Sequence, residues 1–114
     1  MRKFTVGRDL VANVETTFFT VPKGMHCDIK LIHMSNNGSN NIAGSVKWHD
    51  NSQSVDVPFL NGASFTTGET KSFDQLDFVL TENDQIKAIA AGDNMSVIVT
   101  FEMYTAIASV NNFV

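Results

Sequence analysis

The stretch from Met95 to Tyr104 constrains the fold of this chain more than any other. Large apolar side chains occupy its odd positions, namely Met95, Val97, Val99, Phe101 and Met103. The residues at the even positions are mostly polar. A period of two places alternate side chains on opposite faces of a β-strand, whereas an amphipathic helix needs apolar spacings of three and four. The segment therefore predicts a β-strand with one buried face.

Two shorter apolar segments precede this strand, at residues 76–80 and 85–91. The polar turns 81–84 and 92–94 separate the three segments. Short polar turns between apolar segments are typical of strands that pair with their neighbours in the sequence. We therefore expect a three-stranded antiparallel meander over residues 76–104.

A second long alternating strand is predicted from Met25 to Met34. Its expected core face comprises Met25, Cys27, Ile29, Leu31 and His33. Residues 35–41 are all Asn, Ser or Gly, which predicts an exposed hairpin tip. The return strand, residues 42–49, places four residues on one face, namely Ile42, Gly44, Val46 and Trp48. We expect the apolar faces of the long strands to share a core between two sheets, with members that include Ile29, Val97, Val99 and Phe101.

Shorter strand-like pieces complete the pattern, at Phe4–Val6, Asp9–Ala12, Glu15–Val21, Val55–Phe59 and Thr70–Phe73. Gly7 separates the first two, either as a bulge in one strand or within an arm that lies on a neighbour. Pro58 indicates an edge strand or a bulge, and Asn61-Gly62 indicates a turn. About seven to nine short strands with regular turn signals predict an all-β fold, an antiparallel β-sandwich of jelly-roll-like type without long helices.

The length of 114 residues predicts one β-sandwich domain over residues 1–114, with contact arms at 1–9 and 105–114. The net charge of −4 argues against a nucleic-acid partner, whose phosphates attract clustered Lys and Arg. Residues 1–48 carry six basic and three acidic side chains, and residues 49–114 carry two basic and nine acidic ones. This asymmetry either pairs a basic end with an acidic end of a neighbour or cancels because the two halves interleave in the sandwich.

Cys27 is the single cysteine, so the chain forms no internal disulfide. Its place in the alternating pattern predicts a small buried hydrophobe rather than a reactive thiol. No run approaches the ~20 apolar residues of a membrane-spanning helix, and the first residues lack the apolar core of a signal peptide. We therefore expect synthesis in a cytoplasm and no membrane partner.

Side chains that carry chemistry are scattered along the chain. The three histidines, His26, His33 and His49, do not have the spacing that places two ligands on one strand face. Asp50 and Asn51, or residues 82–84 with Asp93, offer oxygen ligands for calcium, but the same residue types are ordinary turn formers. No nucleophile elbow or glycine-rich phosphate loop is present in the sequence. We therefore expect no catalytic residues, metal, cofactor or enzyme activity.

The sharpest constellation is a run of four residues, Trp48, His49, Asp50 and Asn51. An aromatic ring beside amide and carboxylate groups can stack on a sugar while the polar groups bind hydroxyls, as in a carbohydrate-binding β-sandwich module. The alternative is that Trp48 closes the core, because it shares a strand face with Ile42 and Val46. The sequence therefore leaves a glycan contact as an alternative function.

Three stretches are informative when taken together, namely Thr20–Gly24 before a long strand, Val46–Trp48 in the return strand, and Leu80–Ala88 before the strand that ends at Glu102. In this order they resemble small structural proteins of tailed bacteriophages. The resemblance implies a non-enzymatic virion component, either a capsid decoration (cement) protein or a neck or tail accessory protein. The partners that it implies are further copies of the chain and other virion proteins such as the major capsid protein. No site residue follows from it.

Apolar residues near both ends of the chain, together with the basic residue Arg8, are the candidate interface. The set comprises Phe4, Val6, Arg8, Ile107, Val110 and Phe113. Since the alternating strands already fill a small sandwich, these groups would remain in water, which is unfavourable. We therefore expect at least one terminus to pack on a neighbouring subunit or on the virion surface. The alternative is that residues 105–112 cover an open edge of their own sheet.

Overall fold

The computed structural model describes residues 2–74, 76 and 78–105. These residues form nine β-strands in two antiparallel sheets, which confirms the predicted all-β sandwich. The strands are β1 Arg2–Leu10, β2 Thr16–Thr20, β3 Met25–Asn36, β4 Ile42–Asp50, β5 Val55–Phe65, β6 Thr70–Phe73, β7 Phe78–Leu80, β8 Gln85–Ala90 and β9 Met95–Thr105. Within the described ranges, no helix has the length and apolar character needed to cross a membrane.

The strand pairing has the nested order of a jelly roll. The first sheet runs β1-β9-β3-β6, with β7 also on β3, and the second runs β2-β8-β4-β5. β6 and β7 occupy successive parts of one edge, because β6 pairs with Ile32–Ser35 and β7 with Cys27–Ile29. The first half of the chain thus pairs with the second half in reverse order: β1 with β9, β2 with β8, β3 with β6 and β7, and β4 with β5. This nesting is the jelly-roll arrangement.

The predicted three-stranded meander is wrong, although its three strands exist. β8 lies in the second sheet between β2 and β4, whereas β7 and β9 both pair with β3 in the first sheet. The polar turns 81–84 and 92–94 therefore cross between sheets instead of closing hairpins. Turn composition specifies a reversal of the chain but not the sheet to which the next strand belongs.

The core lies between the sheets and includes the predicted face of β9. Val97 and Val99 are fully buried, and Phe101 is 4% exposed. The ring of Phe101 stacks on Phe19 from the opposite sheet at a centroid distance of 4.2 Å. Ile29 belongs to the same buried cluster, so the predicted common core is confirmed.

A bulge in β3 reverses its two faces halfway along the strand. The pairing with β9 shifts register between Ile29 and Leu31. Cys27 and Ile29 are buried as predicted, but the buried residues beyond the bulge are Ile32, Met34 and Asn36. The expected inward positions of Leu31 and His33 are therefore wrong, because one extra residue shifts every later side chain to the other face.

A second irregularity replaces the turn expected at Asn61-Gly62. β5 continues through these residues to Phe65, while its partners on β4 jump from Val46 to Gly44. Gly62 has φ +63° and donates its amide hydrogen to Ser45 Oγ at 2.8 Å. Glycine accepts this left-handed angle without steric cost. The Asn61-Gly62 pair, which predicted a turn, therefore forms a bulge inside an edge strand.

The Asn-rich segment after β3 is not the tip of a hairpin, because β3 and β4 lie in different sheets. Asn36 is fully buried. Its Nδ2 group donates to three carbonyl oxygens, at 2.8 Å from Asn40 and 3.2 Å from both Phe65 and Thr66. Its Oδ1 accepts the amide hydrogen of Gly38 at 3.0 Å. Asn36 therefore fastens the β3–β4 connection to the β5–β6 turn.

Candidate interaction surfaces

One buried carboxylate holds together the loops at the end of the sandwich where β4 and β7 finish. Asp84 is 1% exposed. Its Oδ2 accepts hydrogen bonds from Trp48 Nε1 at 3.2 Å and from the Thr81 amide at 3.0 Å, and its Oδ1 accepts from the Asn51 amide at 2.9 Å. These bonds satisfy the buried charge. Asp84 therefore serves the structure of the loops.

The residues proposed for a glycan contact lie at the end of β4 and in the turn that follows it. Trp48 is half-buried against the core and uses its indole N–H on Asp84. His49 is on the outer face, with Nδ1 2.6 Å from Asp56 Oδ1. Asp50 is 9% exposed, and its Oδ1 accepts a hydrogen bond from the hydroxyl of Ser52 at 2.7 Å. Trp48 and His49 thus lie on opposite faces of β4, whereas Asp84 joins Trp48 to the backbone amide of Asn51, and a shared glycan surface stays a prediction.

The oxygen-bearing turns considered for calcium are also separated. Asp84 is engaged as described, and Asp93 accepts the Ala12 amide at the opposite end of the sandwich. No group of three or more His, Cys, Asp or Glu side chains with metal-binding geometry occurs in the part of the chain that the structure describes.

The N-terminal candidates form part of an edge strand. β1 pairs with β9 in unbroken register from Arg2 to Leu10, so Gly7 introduces no bulge. Phe4 is 37% exposed and stacks on Phe101, while Val6 packs against the core and Arg8 is exposed. A contact made by this segment is therefore a contact with a sheet edge. Ile107, Val110 and Phe113 lie outside the described residues.

The outer face of the second sheet carries a network of paired charges. Glu15 is 3.1 Å from Lys47 and 3.8 Å from Lys87, and Lys87 is 3.8 Å from Asp56. The hydrogen bond from His49, together with nearby cations, lowers the pKa of Asp56. Acidic and basic side chains from both halves of the chain meet here, so their opposite charges offset one another locally.

An apolar groove runs between the open edges of the two sheets, and we call it the β5–β7 groove. Its lining residues are Trp48, Val57, Pro58, Phe59 and Val79, around a volume of about 240 Å³. Val57 is 40% exposed and Val79 is 45% exposed. Val55, one step along the same strand face as Val57, is 44% exposed. Val57 and Val79 thus line an uncharged groove, and Val55 extends the exposed apolar surface beside it, which is the kind of surface that marks an interaction site.

Part of the β5–β7 groove could be predicted from the sequence. The alternation of Val55, Val57 and Phe59 predicted a strand with an apolar face, and Pro58 predicted an edge. The alternation could not show that no described strand covers this side of β5, because the neighbour of an edge strand is decided by the whole topology. The groove was therefore missed.

No protein-family model and no curated protein matches the chain. Solved structures do match. The Drosophila NLP core, described for pentamer formation and histone binding, is 20% identical with a TM-score of 0.57, and the match covers 89% of this chain and 98% of that one. A protein of the Helicobacter pylori bacteriophage KHP30 capsid is 12% identical with a TM-score of 0.57, covering 92% and 88%. A Bacillus protein of endospore appendages, described as disulfide-linked pili, is 13% identical with a TM-score of 0.51, covering 90% and 84%. At these identities the likeness is one of fold, a β-sandwich shared with capsid proteins.

Proposed function

We propose that this chain is a non-enzymatic structural protein of a tailed-phage virion. Its most specific form is a capsid decoration or cement protein that binds further copies of itself and the major capsid protein. The observation that carries the proposal is the exposed, uncharged β5–β7 groove on a jelly-roll sandwich. Exposed apolar surfaces mark interaction sites, and contact with another protein removes such a surface from water.

The use of the polar side chains supports the same proposal. Asp84, Asp50 and Asn36 hold loops together, and the charges around Asp56 are paired with one another. These side chains thus stabilise the subunit, and their roles fit a protein that acts through contacts with other proteins.

The comparisons support the proposal at the level of the fold. The jelly roll is shared with a protein of the KHP30 capsid. The other two neighbours are a core that forms a pentamer and a protein of pili, which are also assemblies of repeated subunits. Since one fold hosts many functions, the groove carries the proposal and the fold adds to it.

The test is binding to purified phage particles. Heads assembled without the chain are mixed with the purified protein and separated on a density gradient. We expect saturable co-sedimentation with heads, at a copy number that is a multiple fixed by the symmetry of the shell. Enrichment on necks or tails instead would favour a neck or tail accessory protein. Absence from every particle fraction contradicts the virion role, and saturable glycan-array binding that is lost in Trp48→Ala would support the carbohydrate-binding alternative.

A further inference from the structure

We infer that the β5–β7 groove receives the C-terminal segment, residues 106–114, of a neighbouring copy of this chain. This inference rests on the proposed multi-copy function and names the contact that joins the copies. Each subunit then donates one segment and accepts one.

The chemistry of the groove fits such a segment. Its lining residues are all apolar or aromatic and carry no charge. Residues 106–114 also lack charged side chains, and they contain Ile107, Val110, Phe113 and Val114. Docking an uncharged apolar segment in an uncharged groove removes both surfaces from water without burying an unpaired charge.

β9 ends at the same end of the sandwich as β7, which borders the β5–β7 groove. β9 finishes at Thr105, which pairs with Met25 at the start of β3. β7 pairs with the same end of β3, where Leu80 lies opposite Cys27. Nine further residues reach about 30 Å when extended, which is long enough to cross to an adjacent subunit and lie along its groove.

The proposed multi-copy function favours a neighbour's groove over the segment's own, because a segment held in its own groove would link no copies. Residues 106–114 contain no glycine or proline, and their first pair of turn-forming residues is Asn111-Asn112. A segment with few turn-forming residues favours a contact with another subunit over a return to its own.

This geometry makes the contact heterologous, since one surface of each copy meets a different surface of the next. Heterologous contacts close into a ring where the rotation between subunits closes, and otherwise form an open filament. The arrangement therefore predicts an oligomer whose subunits are linked by their C-terminal segments.

The test uses two full-length variants that fail in complementary ways. Val57→Asp places a charge in the groove and leaves the segment intact, while the double variant Ile107→Asp/Phe113→Asp alters the segment and leaves the groove intact. Val11→Asp is the matched control, because Val11 is 60% exposed in the β1–β2 loop, away from the groove. Circular dichroism and the thermal midpoint verify that each variant folds, and Val79→Asp replaces Val57→Asp if the latter does not.

Light scattering then gives the mass of each species. We expect wild type and Val11→Asp to be oligomers, each groove or segment variant to be a monomer, and an equimolar mixture of the two defective variants to form a heterodimer. Trp48 is the single tryptophan and lines the groove, so its emission should shift to shorter wavelength when the heterodimer forms.

Two results would overturn the inference. One is an oligomer whose mass is the same in wild type, the groove variant and the segment variant. The other is a wild-type monomer together with a mixture that shows no heterodimer, which is the outcome if each segment occupies its own groove. Binding to phage heads, measured separately, remains as the test of the proposed function in either case.

Discussion

At the scale of single residues, the sandwich depends on a few side chains that connect distant parts of the chain. Phe101 sits between Phe19 of the other sheet and Phe4 of the edge strand. Asp84 joins Trp48 to two loops. The alternating pattern predicted that Phe101 is buried, because burial follows from a period of two. It could not predict the hydrogen bond between Asp84 and Trp48. Asp84 lies in the turn before β8 and Trp48 lies in β4, 36 positions away in the chain.

Replacing Phe101 with alanine should destabilise the protein by about 3–5 kcal/mol, because it removes a buried ring and leaves a cavity between the sheets. The control is Ile98→Ala on the outer face of the same strand, where Ile98 is 38% exposed and the expected loss is below about 1 kcal/mol. Urea denaturation measures both free energies of unfolding. A thermal midpoint for Phe101→Ala within a few degrees of wild type would show that the ring is not a core residue.

Asp84→Ala should cost roughly 1–3 kcal/mol, since it leaves the partly buried indole N–H of Trp48 and the amide of Asn51 without their acceptor. Asp93→Ala is the control, because Asp93 is exposed and accepts one amide, from Ala12. The fluorescence of Trp48, the single tryptophan, reports the unfolding of both variants. Equal stability of the two variants would mean that the loops do not depend on this carboxylate.

Cys27 provides a prediction for pH. Burial, with a smaller effect from Asp28, raises the pKa of the fully buried thiol from 9.0 to about 12. The unfolded chain then loses this proton first, so the stabilisation is complete below pH 9 and declines as pH rises from there toward 12. The slope should be up to about 1.4 kcal/mol per pH unit and should be absent in Cys27→Ala. Identical pH profiles of unfolding free energy for the two proteins would contradict the assigned burial.

At the scale of elements, the sequence predicted the strands better than their partners. The alternation located β3, β4 and β9 because each has one buried face, and this property is local. The pairing of β8 with β2 and β4 is decided by which surfaces meet when the jelly roll closes, so the adjacent turns gave the wrong partners. The bulge after Ile29 was also invisible, because no residue in that part of β3 is a glycine or proline that would mark it.

The bulge at Gly62 can be tested with a pair of glycines in edge strands. Gly62→Ala should lower the free energy of unfolding by about 1–2 kcal/mol, because alanine resists the left-handed angle even though the space around it is open. In Gly7→Ala the new methyl group meets Ile98 Cγ1 at 3.6 Å, an ordinary contact, so we expect no loss of stability. Urea denaturation of the two variants side by side measures the difference. If Gly62→Ala is as stable as Gly7→Ala, β5 does not have the described bulge.

At the scale of the whole molecule, the jelly roll leaves two open sides, and the β5–β7 side carries the apolar groove. The overall fold class followed from the number and spacing of the strands, but the location of the groove required the topology. Of the candidate glycan residues, Trp48 faces the core and His49 faces outward, as alternation along a strand requires.

The most direct test of the virion role is a cryo-electron microscopy reconstruction of phage heads assembled with and without this chain. We expect difference density on the outer surface of the shell at symmetry-related positions, into which the nine-stranded sandwich fits with its β5–β7 groove covered by another protein chain. The account is contradicted if the two reconstructions are identical while the chain is present in the sample, or if the density leaves the groove open to solvent.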